Sequence, residues 1–367
     1  MRFADGGGYD VRIGDGLLDR LGEHVRALPA LAGARRIALV SDSNAGPLYL
    51  ARAKASLAAA GFSVSEITLP AGETTKSPEV LAELWRAFAG LGLTRRDAAV
   101  ALGGGVVGDI TGFAAATYMR GIPVVQVATT LLAAVDASVG GKTAVNLPEG
   151  KNLAGAFHQP AYVLCDVQTL STLPAREWVC GLGEVVKTAF ITDDESVFWL
   201  DTHADELRDA GCVHEHPALV AEMIARAVVA KADVVAADPL EQTGARAVLN
   251  YGHTFAHALE REAGLGTVSH GWAVAQGMRL AAHLSVSLCG LDPSVEEAQN
   301  ALLDALGLTL TELSGVTVDG LLSAIQLDKK NTPGEVRMVL LRDVGDAVVQ
   351  PVSTSAIRAD MSEVFGI

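Results

Sequence analysis

The sequence is short of several things, and each shortage removes a class of protein. It has four cysteines, Cys165, Cys180, Cys212 and Cys289, and no two of them form a Cys-x-x-Cys pair. Such scattered positions suit neither a disulfide framework nor a zinc ribbon; they suit buried or free thiols. Basic residues are scarce, 28 against 43 acidic ones, which leaves a net charge of −15. A duplex-binding surface needs clustered Lys and Arg, so no nucleic-acid partner is expected. Half of the residues are hydrophobic, yet every long apolar run is broken by Gly, Asp or Lys before it could cross a bilayer. No membrane partner is expected either. The opening stretch MRFADGGGYDVRIG lacks a basic segment followed by an apolar one, so no signal peptide is read there and the expected location is cytoplasmic. Repeats, linkers and low-complexity segments are missing as well.

What is present is enough for large cores. The 367 residues suggest two domains. The first half alternates β-rich runs, RIALVSD (36–42), VSEITLP (64–70), DAAVALG (97–103), VVQVATT (124–130) and YVLCD (162–166), with helical patterns near 46–60, 78–91 and 106–118. That alternation predicts right-handed crossovers and a mostly parallel sheet. After STLPARE (171–177) the texture changes: 217–235, 273–289 and 296–306 carry the helical period. The expected fold is an α/β Rossmann-like domain over 1–175 followed by a mainly α-helical domain over 176–367.

In ALGGGVVGDITGF (101–113), Gly103, Gly105 and Gly108 spell G-x-G-x-x-G between a strand and a helix. Glycines let the backbone approach a pyrophosphate, and a helix start offers free N–H groups. The match departs from the dinucleotide fingerprint: it follows a later strand, and no acidic residue stands about 20 positions on. The first strand instead ends in SDSNAG, where Asp42 or Asn44 could hold a ribose hydroxyl. The bland alternative is a tight turn without a ligand.

The segment ATTLLAAVDASVGGKTAVNLPEGKNLAGAFHQP (128–160) sets Asp136, Lys142, Lys151 and Asn152 among small residues. Lys142, Lys151, Lys329 and Lys330 sit beside Gly, Asn or Asp rather than at solvated helical spacing. Ammonium groups on Gly-rich loops suit phosphate as point charges. A buried Asp–Lys pair is the competing reading.

In NYGHTFAHALE (250–260), His253 and His257 share one helix face. Glu184 in GLGEVVKTAF and His270 in VSHGWAVAQGM complete the set of candidate metal ligands. The spacing resembles the His-Glu-x-x-His zincins, but Thr254 stands where their Glu base must be, so a protease is not expected. A catalytic zinc takes three protein ligands, and spacing does not choose between His257 and His270 as the partner of His253.

Taken in order, PAGETTKS, GGGVVGDITGFAAATYMRG, TTLLAAVDASVGGKTAVN, GKNLAGAFHQP, TLPAREWVCGLGEVVK, LNYGHTFAHALE and DKK resemble the 3-dehydroquinate synthase family, the second step of the shikimate pathway, over nearly the whole chain. The resemblance implies an active site in the cleft between the two halves. It implies zinc or cobalt held by Glu184, His253 and His270, with His257 facing the substrate. It implies NAD against Gly103, Gly104, Gly105 and Asp109, its adenosine ribose on Asp42 and Asn44, and Glu73, Lys76, Thr129, Thr130 and Lys151 near it. The substrate would be a phosphorylated seven-carbon keto acid, met by Lys142, Asn152, Lys187, Lys231, Arg246, Asn250, His257 and Lys330. Asp136 would bind substrate hydroxyls, and Arg120 would reach across a homodimer interface. The family's reaction is transient oxidation by NAD, β-elimination of phosphate, re-reduction and aldol closure. Such an enzyme is a lyase despite its dehydrogenase-like half.

Departures from the family pattern are Trp272 in place of a Glu after the third ligand, one extra residue in DPLEQTGAR before Arg246, Ala128 for a Pro and Ala137 for a Ser. They keep two alternatives in view: a sugar phosphate cyclase of secondary metabolism, of the 2-deoxy-scyllo-inosose or valiolone type, and a metal-dependent polyol dehydrogenase. The Arg246–Asn250–His257 trio speaks against the first, and the density of cations against the second. A non-catalytic scaffold would have lost Glu184, a ligand histidine or Lys142.

Overall fold

The computed structural model describes residues 1–3, 6–264, 266–311, 315–326 and 334–366. The chain divides into two compact units, Met1–Leu173 with Val213–Leu240, and Pro174–Cys212 with Glu241 onward.

The first unit holds β1 (Asp10–Gly14), α1 (Leu21–Ala27), β2 (Arg36–Asp42), α2 (Gly46–Ala59), β3 (Ser63–Leu69), α3 (Pro78–Gly90), β4 (Ala98–Gly103), α4 (Gly105–Thr117), β5 (Val124–Ala128), β6 (Lys142–Leu147), β7 (Gly150–Phe157) and β8 (Tyr162–Asp166). Six strands form a sheet in the order β1-β8-β5-β4-β2-β3, with every described pairing parallel. Strands β4, β5 and β8 are buried at every position. Continuous apolar strands of this kind are covered on both faces. Tyr49, Leu50, Ala53 and Leu57 of α2 pack with Leu39 and Val100 on one face. Leu81, Leu84 and Phe88 of α3 and Val107, Ile110 and Ala114 of α4 pack with Val40 and Ala101 on the other. The inner order β3-β2-β4-β5-β8 is the doubly wound 2-1-3-4-5 pattern, whose ligand crevice lies where the order reverses, at the carboxyl ends of β2 and β4. Asp42 ends β2 and Gly103 ends β4. Strands β6 and β7 form a separate antiparallel hairpin.

The second unit is built on α5 (Ala175–Phe190), α6 (Asp194–Thr202) and the single turns α7 (Ala204–Leu207) and α8 (Cys212–Glu215), the last starting at the unit boundary. Helix α9 (Pro217–Ala237) returns to the first unit. The second unit then continues with α10 (His253–Glu262), α11 (His270–Cys289), α12 (Pro293–Ala305), α13 (Val318–Gln326), the hairpin β9 (Glu335–Asp343) and β10 (Asp346–Ser353), and α14 (Thr354–Phe365). The hairpin is an addition to the helical expectation for this half. Its Leu341 N donates to Ser285 Oγ of α11 at 2.9 Å, which binds it to the helical core. No described helix is long and apolar enough to cross a membrane.

Candidate active site

Residues expected at a cofactor do converge at the carboxyl ends of β2 and β4. Asp42 Oδ1 accepts from Asn44 N (2.9 Å) and Ala45 N (2.8 Å), which fixes the turn leading into α2. Gly104 caps α4, and a Cβ there would stand 3.0 Å from Thr130 Cγ2. Thr129 N donates to Gly103 O at 3.0 Å. The strand end, the glycine turn and both threonines therefore occupy one place. Beside them, Lys76 Nζ donates to Asp109 Oδ2 and to Asn152 Oδ1, both at 2.6 Å, and lies 3.8 Å from Glu73 Oε1. Asn146 ties Glu73 to the backbone of Asn152 through its own amide. Burial lifts the Asp109 carboxyl above its ordinary range, against the pull of the Lys76 ammonium. Asn152, whose φ is +55°, thus sits with the cofactor candidates.

A π-turn over Ala133–Ala137 carries Asp136. Lys231 Nζ, brought by α9, donates to Asp136 O at 2.6 Å and Asp136 Oδ1 at 2.7 Å. The grouping of residues 213–240 with the first unit has this ion pair as one physical cause. Lys142 starts β6 after Gly140 and Gly141, whose φ values are +102° and +70°. It is exposed and Lys151 half-buried. Arg120 is exposed and its φ of +64° follows Met119 at +50°, a left-handed pair outside the usual range of such side chains.

The second unit brings Glu184, His253 and His270 together, with one ligand atom of each within 4.8 Å of the others. Glu184 Oε1 is 3.3 Å from His253 Nε2 and 3.4 Å from His270 Nε2. A tetrahedral ion bonded at about 2.05 Å sets its ligand atoms roughly 3.3–3.4 Å apart. Glu184 is buried and its Oε1 accepts no well-angled hydrogen bond, so the histidines do not satisfy it as donors. His253 Nδ1 lies 3.1 Å from Tyr251 O, the arrangement that leaves Nε2 as a lone pair. These donors fit a divalent ion.

Electrostatics point the same way. Burial opposes ionisation of Glu184, but the Lys187 ammonium beside it overcomes this and holds the carboxyl well below its ordinary range. Burial also opposes the His270 imidazolium; contacts with Glu184 and Glu260 overcome that and push it up to about 10. Protons and divalent cations compete for such atoms.

Two features of the backbone make the cluster. A Cβ on Gly183 would stand 2.3 Å from Gly271 O, and one on Gly277 would stand 1.9 Å from Gly252 O. Only glycine allows α5 to meet the start of α11, and the start of α10 to meet the body of α11, so closely. Glu184, His253 and His270 are each the immediate neighbour of one of these glycines.

Lys187, one turn after Glu184, is buried and puts Nζ 2.8 Å from Glu184 Oε2. Arg246 is buried and Asn250 half-buried on the short 3-10 turn Ala245–Asn250 that leads into α10. His257 is exposed; its ring lies 5.5 Å from that of His253 and 6.1 Å from that of His270. Lys330 lies outside the described residues. Trp272 Nε1 donates to Thr309 O at 3.0 Å, while Glu260 Oε2 stands 3.6 Å from His270 Nδ1. Glu260 was not among the candidates from sequence, although its place seven residues after His253 puts it on the same face of α10.

A doubly wound α/β unit with a glycine turn at its switch point, in one chain with a helical unit bearing a Glu-His-His cluster, is the architecture of the sugar phosphate cyclases it superimposes on. A 2-deoxy-scyllo-inosose synthase complexed with carbaglucose-6-phosphate, NAD+ and Co2+ superimposes with a TM-score of 0.86 at 28% identity, covering 99% of both chains. A 2-epi-5-epi-valiolone synthase from Streptomyces hygroscopicus subsp. jinggangensis 5008 with NAD+ and Zn2+ bound gives 0.86 at 30%, covering 98% of this chain and 97% of that one. A probable glycerol dehydrogenase from Sinorhizobium meliloti 1021, at 0.65 and 18%, covering 100% and 98%, shares the fold alone.

Within that class the sequence is specific. Residues 66–180 match the 3-dehydroquinate synthase N-terminal family and residues 181–331 the C-terminal one. The 3-dehydroquinate synthase of Caulobacter vibrioides (strain NA1000 / CB15N) is 46% identical over 363 residues, 97% of this chain and 95% of that protein. That of Xanthomonas oryzae pv. oryzae (strain PXO99A) is 46% identical over 353 residues, 94% and 92%. The chain belongs to the 3-dehydroquinate synthase family, and 3-dehydroquinate synthase is the activity that membership carries.

Proposed function

We propose that the chain converts 3-deoxy-arabino-heptulosonate 7-phosphate to 3-dehydroquinate and inorganic phosphate, with NAD and one Zn2+ or Co2+ as resident groups. The observation that carries this reading is the Glu184–His253–His270 cluster in a chain 46% identical to a 3-dehydroquinate synthase over 97% of its length. When bound, the ion would supply Lewis acidity to a substrate oxygen and NAD a reversible store for one hydride.

The chain's own residues bind and orient. The Gly103–Gly105 turn and the free N–H groups of α4 suit a pyrophosphate. Asp42 and Asn44 serve the adenosine ribose, and Thr129, Thr130, Lys151 and the Glu73–Lys76–Asp109 network surround the dinucleotide. Lys142 presents a compact cation on its glycine turn, suited to the substrate phosphate and to the charge that grows on it as it leaves. Arg246, Asn250 and His257, on the approach to α10 and on its face, serve the acid end of the substrate. Asn152, Lys187, Lys231 and Lys330 serve the substrate as the resemblance implies, and Asp136, oriented by Lys231, takes substrate hydroxyls. The reaction gains mainly from fixed geometry, since the substrate phosphate can take the proton released before it leaves. Arg120, exposed on a left-handed turn, acts across the interface of a homodimer. The product places the enzyme in the shikimate pathway to chorismate and the aromatic amino acids.

The test is phosphate release from 3-deoxy-arabino-heptulosonate 7-phosphate by protein loaded with NAD and Zn2+ or Co2+, with no net NADH. A second reading, a cyclase of secondary metabolism, is favoured by Trp272 at the position where the family pattern has a Glu. Phosphate release from glucose 6-phosphate, or cyclisation of sedoheptulose 7-phosphate, in place of the first reaction would establish it. Net NADH from a simple polyol would establish a dehydrogenase.

A further inference from the structure

Helix α10 carries more of the metal centre than its first residue. His253, His257 and Glu260 stand at positions i, i+4 and i+7, two turns along one face. The side chain of Glu260 is only 9% exposed, and its Oε2 lies 3.6 Å from Nδ1 of His270. His270 is the first residue of α11, a place where helix packing alone leaves a ring room to turn. Its ring is bracketed instead: Glu184 Oε1 is 3.4 Å from Nε2 on one side, and Glu260 is on the other. A carboxylate facing Nδ1 at 3.6 Å favours the tautomer with its proton there and leaves Nε2 as the lone pair. For His253 the same part is played by Tyr251 O. A carboxylate does more than a carbonyl, because its charge makes the ring a stronger donor to a cation.

We propose that Glu260 is a positioning residue for the metal centre, fixing the tautomer and orientation of His270 through Nδ1. The support for the third ligand thus comes from α10, not from position 272, where the indole is engaged with Thr309 O. This inference rests on the reading of Glu184, His253 and His270 as metal ligands.

The experiment uses the full chain, stripped with chelator and titrated with Zn2+ against a chromophoric chelator, and with Co2+ followed by its visible spectrum. Glu260→Ala is expected to weaken Zn2+ by about 10- to 100-fold. It should also alter the Co2+ band positions, while the stripped protein keeps its helical circular dichroism. Glu260→Gln, whose amide oxygen still accepts from Nδ1, should recover a large part of the lost affinity. Wild-type and Glu260→Ala affinities within twofold of each other, or a loss seen only with collapse of the stripped protein's helical signal, would overturn the positioning role alone. Failure of the wild-type chain to bind either ion would instead overturn the metal reading on which it rests.

Discussion

Gly183 and Gly271 touch backbone to backbone: a Cβ on Gly183 would meet Gly271 O at 2.3 Å and Gly271 Cα at 2.8 Å. The obstacle is main chain, so no rotamer change relieves it. Gly183→Ala should cost the second unit at least about 2 kcal/mol, the upper part of the range for overpacking. It should also separate Glu184 from His270 and weaken metal binding by tenfold or more. Urea unfolding and a metal titration check both; an alanine variant of wild-type stability would mean that α5 and α11 sit further apart than described.

Glu184→Gln should remove the anionic ligand and leave less than about 1% of the activity, since the ion's charge stabilisation is worth several kcal/mol. The stripped variant should also be less stable, by about 3–5 kcal/mol, because a buried ion pair with Lys187 at 2.8 Å is broken from one side. Denaturation of metal-free wild type and variant separates this loss from the loss of the ion.

Chelation should lower both activity and the melting temperature of wild type. Added Zn2+ or Co2+ should restore them in a concentration-dependent way, as expected for a ligand that binds only the folded state. A melting temperature insensitive to chelator and to both ions would contradict the Glu184–His253–His270 assignment.

Lys76→Met should lower NAD affinity by about tenfold or more, roughly 1.4 kcal/mol per decade. It removes the donor shared by Asp109 and Asn152 and leaves a half-buried carboxylate without its ammonium. Binding followed by quenching of intrinsic fluorescence, or by thermal stabilisation, gives the number. Phosphate release at saturating NAD should recover more than the affinity does.

His283 links three helices, with Nδ1 3.0 Å from Glu296 Oε1 on α12 and Nε2 3.5 Å from Glu363 Oε2 on α14, and with Asp360 nearby. Burial opposes its charge, but Glu296 and the other carboxylates overcome this and raise its pKa above the ordinary value. A raised histidine stabilises fully below its unfolded pKa of about 6.5 and loses that contribution as pH climbs through the folded value. The stability difference between wild type and His283→Gln should therefore be present at pH 6, on the order of 0.5–1 kcal/mol, and fade toward pH 9. A difference that grew with pH would refute the assignment.

Much of the first unit was legible because its strands are short, apolar and punctuated. RIALVSD is β2 residue for residue, and the three helical patterns fall within a residue of α2, α3 and α4. Strand β1 was not legible: DVRIG is a five-residue edge whose partner, β8, lies about 150 positions later. Nor was the β6–β7 hairpin, whose glycines and lysines hide its alternation. Helix α9 showed its period, but nothing in its sequence said which unit it would join. At the site, spacing put His253 and His257 on one face and could not rank His257 against His270. That choice depends on where α11 starts relative to α10, which two glycine contacts decide. The resemblance to a family supplied the choice of His270, and the structure sets one ligand atom of each of Glu184, His253 and His270 within 4.8 Å of the others. Glu260 escaped because a buried glutamate seven positions from a histidine has no signature of its own.

The return of residues 213–240 to the first unit bears on how this polypeptide is made and cut. Asp10–Gly14 waits for Tyr162–Asp166 before it has a neighbour, and Asp136 waits for Lys231. A ribosome must therefore emit some 240 residues, including the stretch 174–212 that settles elsewhere, before the earliest part is whole. Long separations of this sort slow folding. A fragment ended at residue 173, the break a gene surgeon would choose first, should come out soluble only with difficulty, whereas a split just after 240 keeps every member of the sheet and its covering helix on one piece.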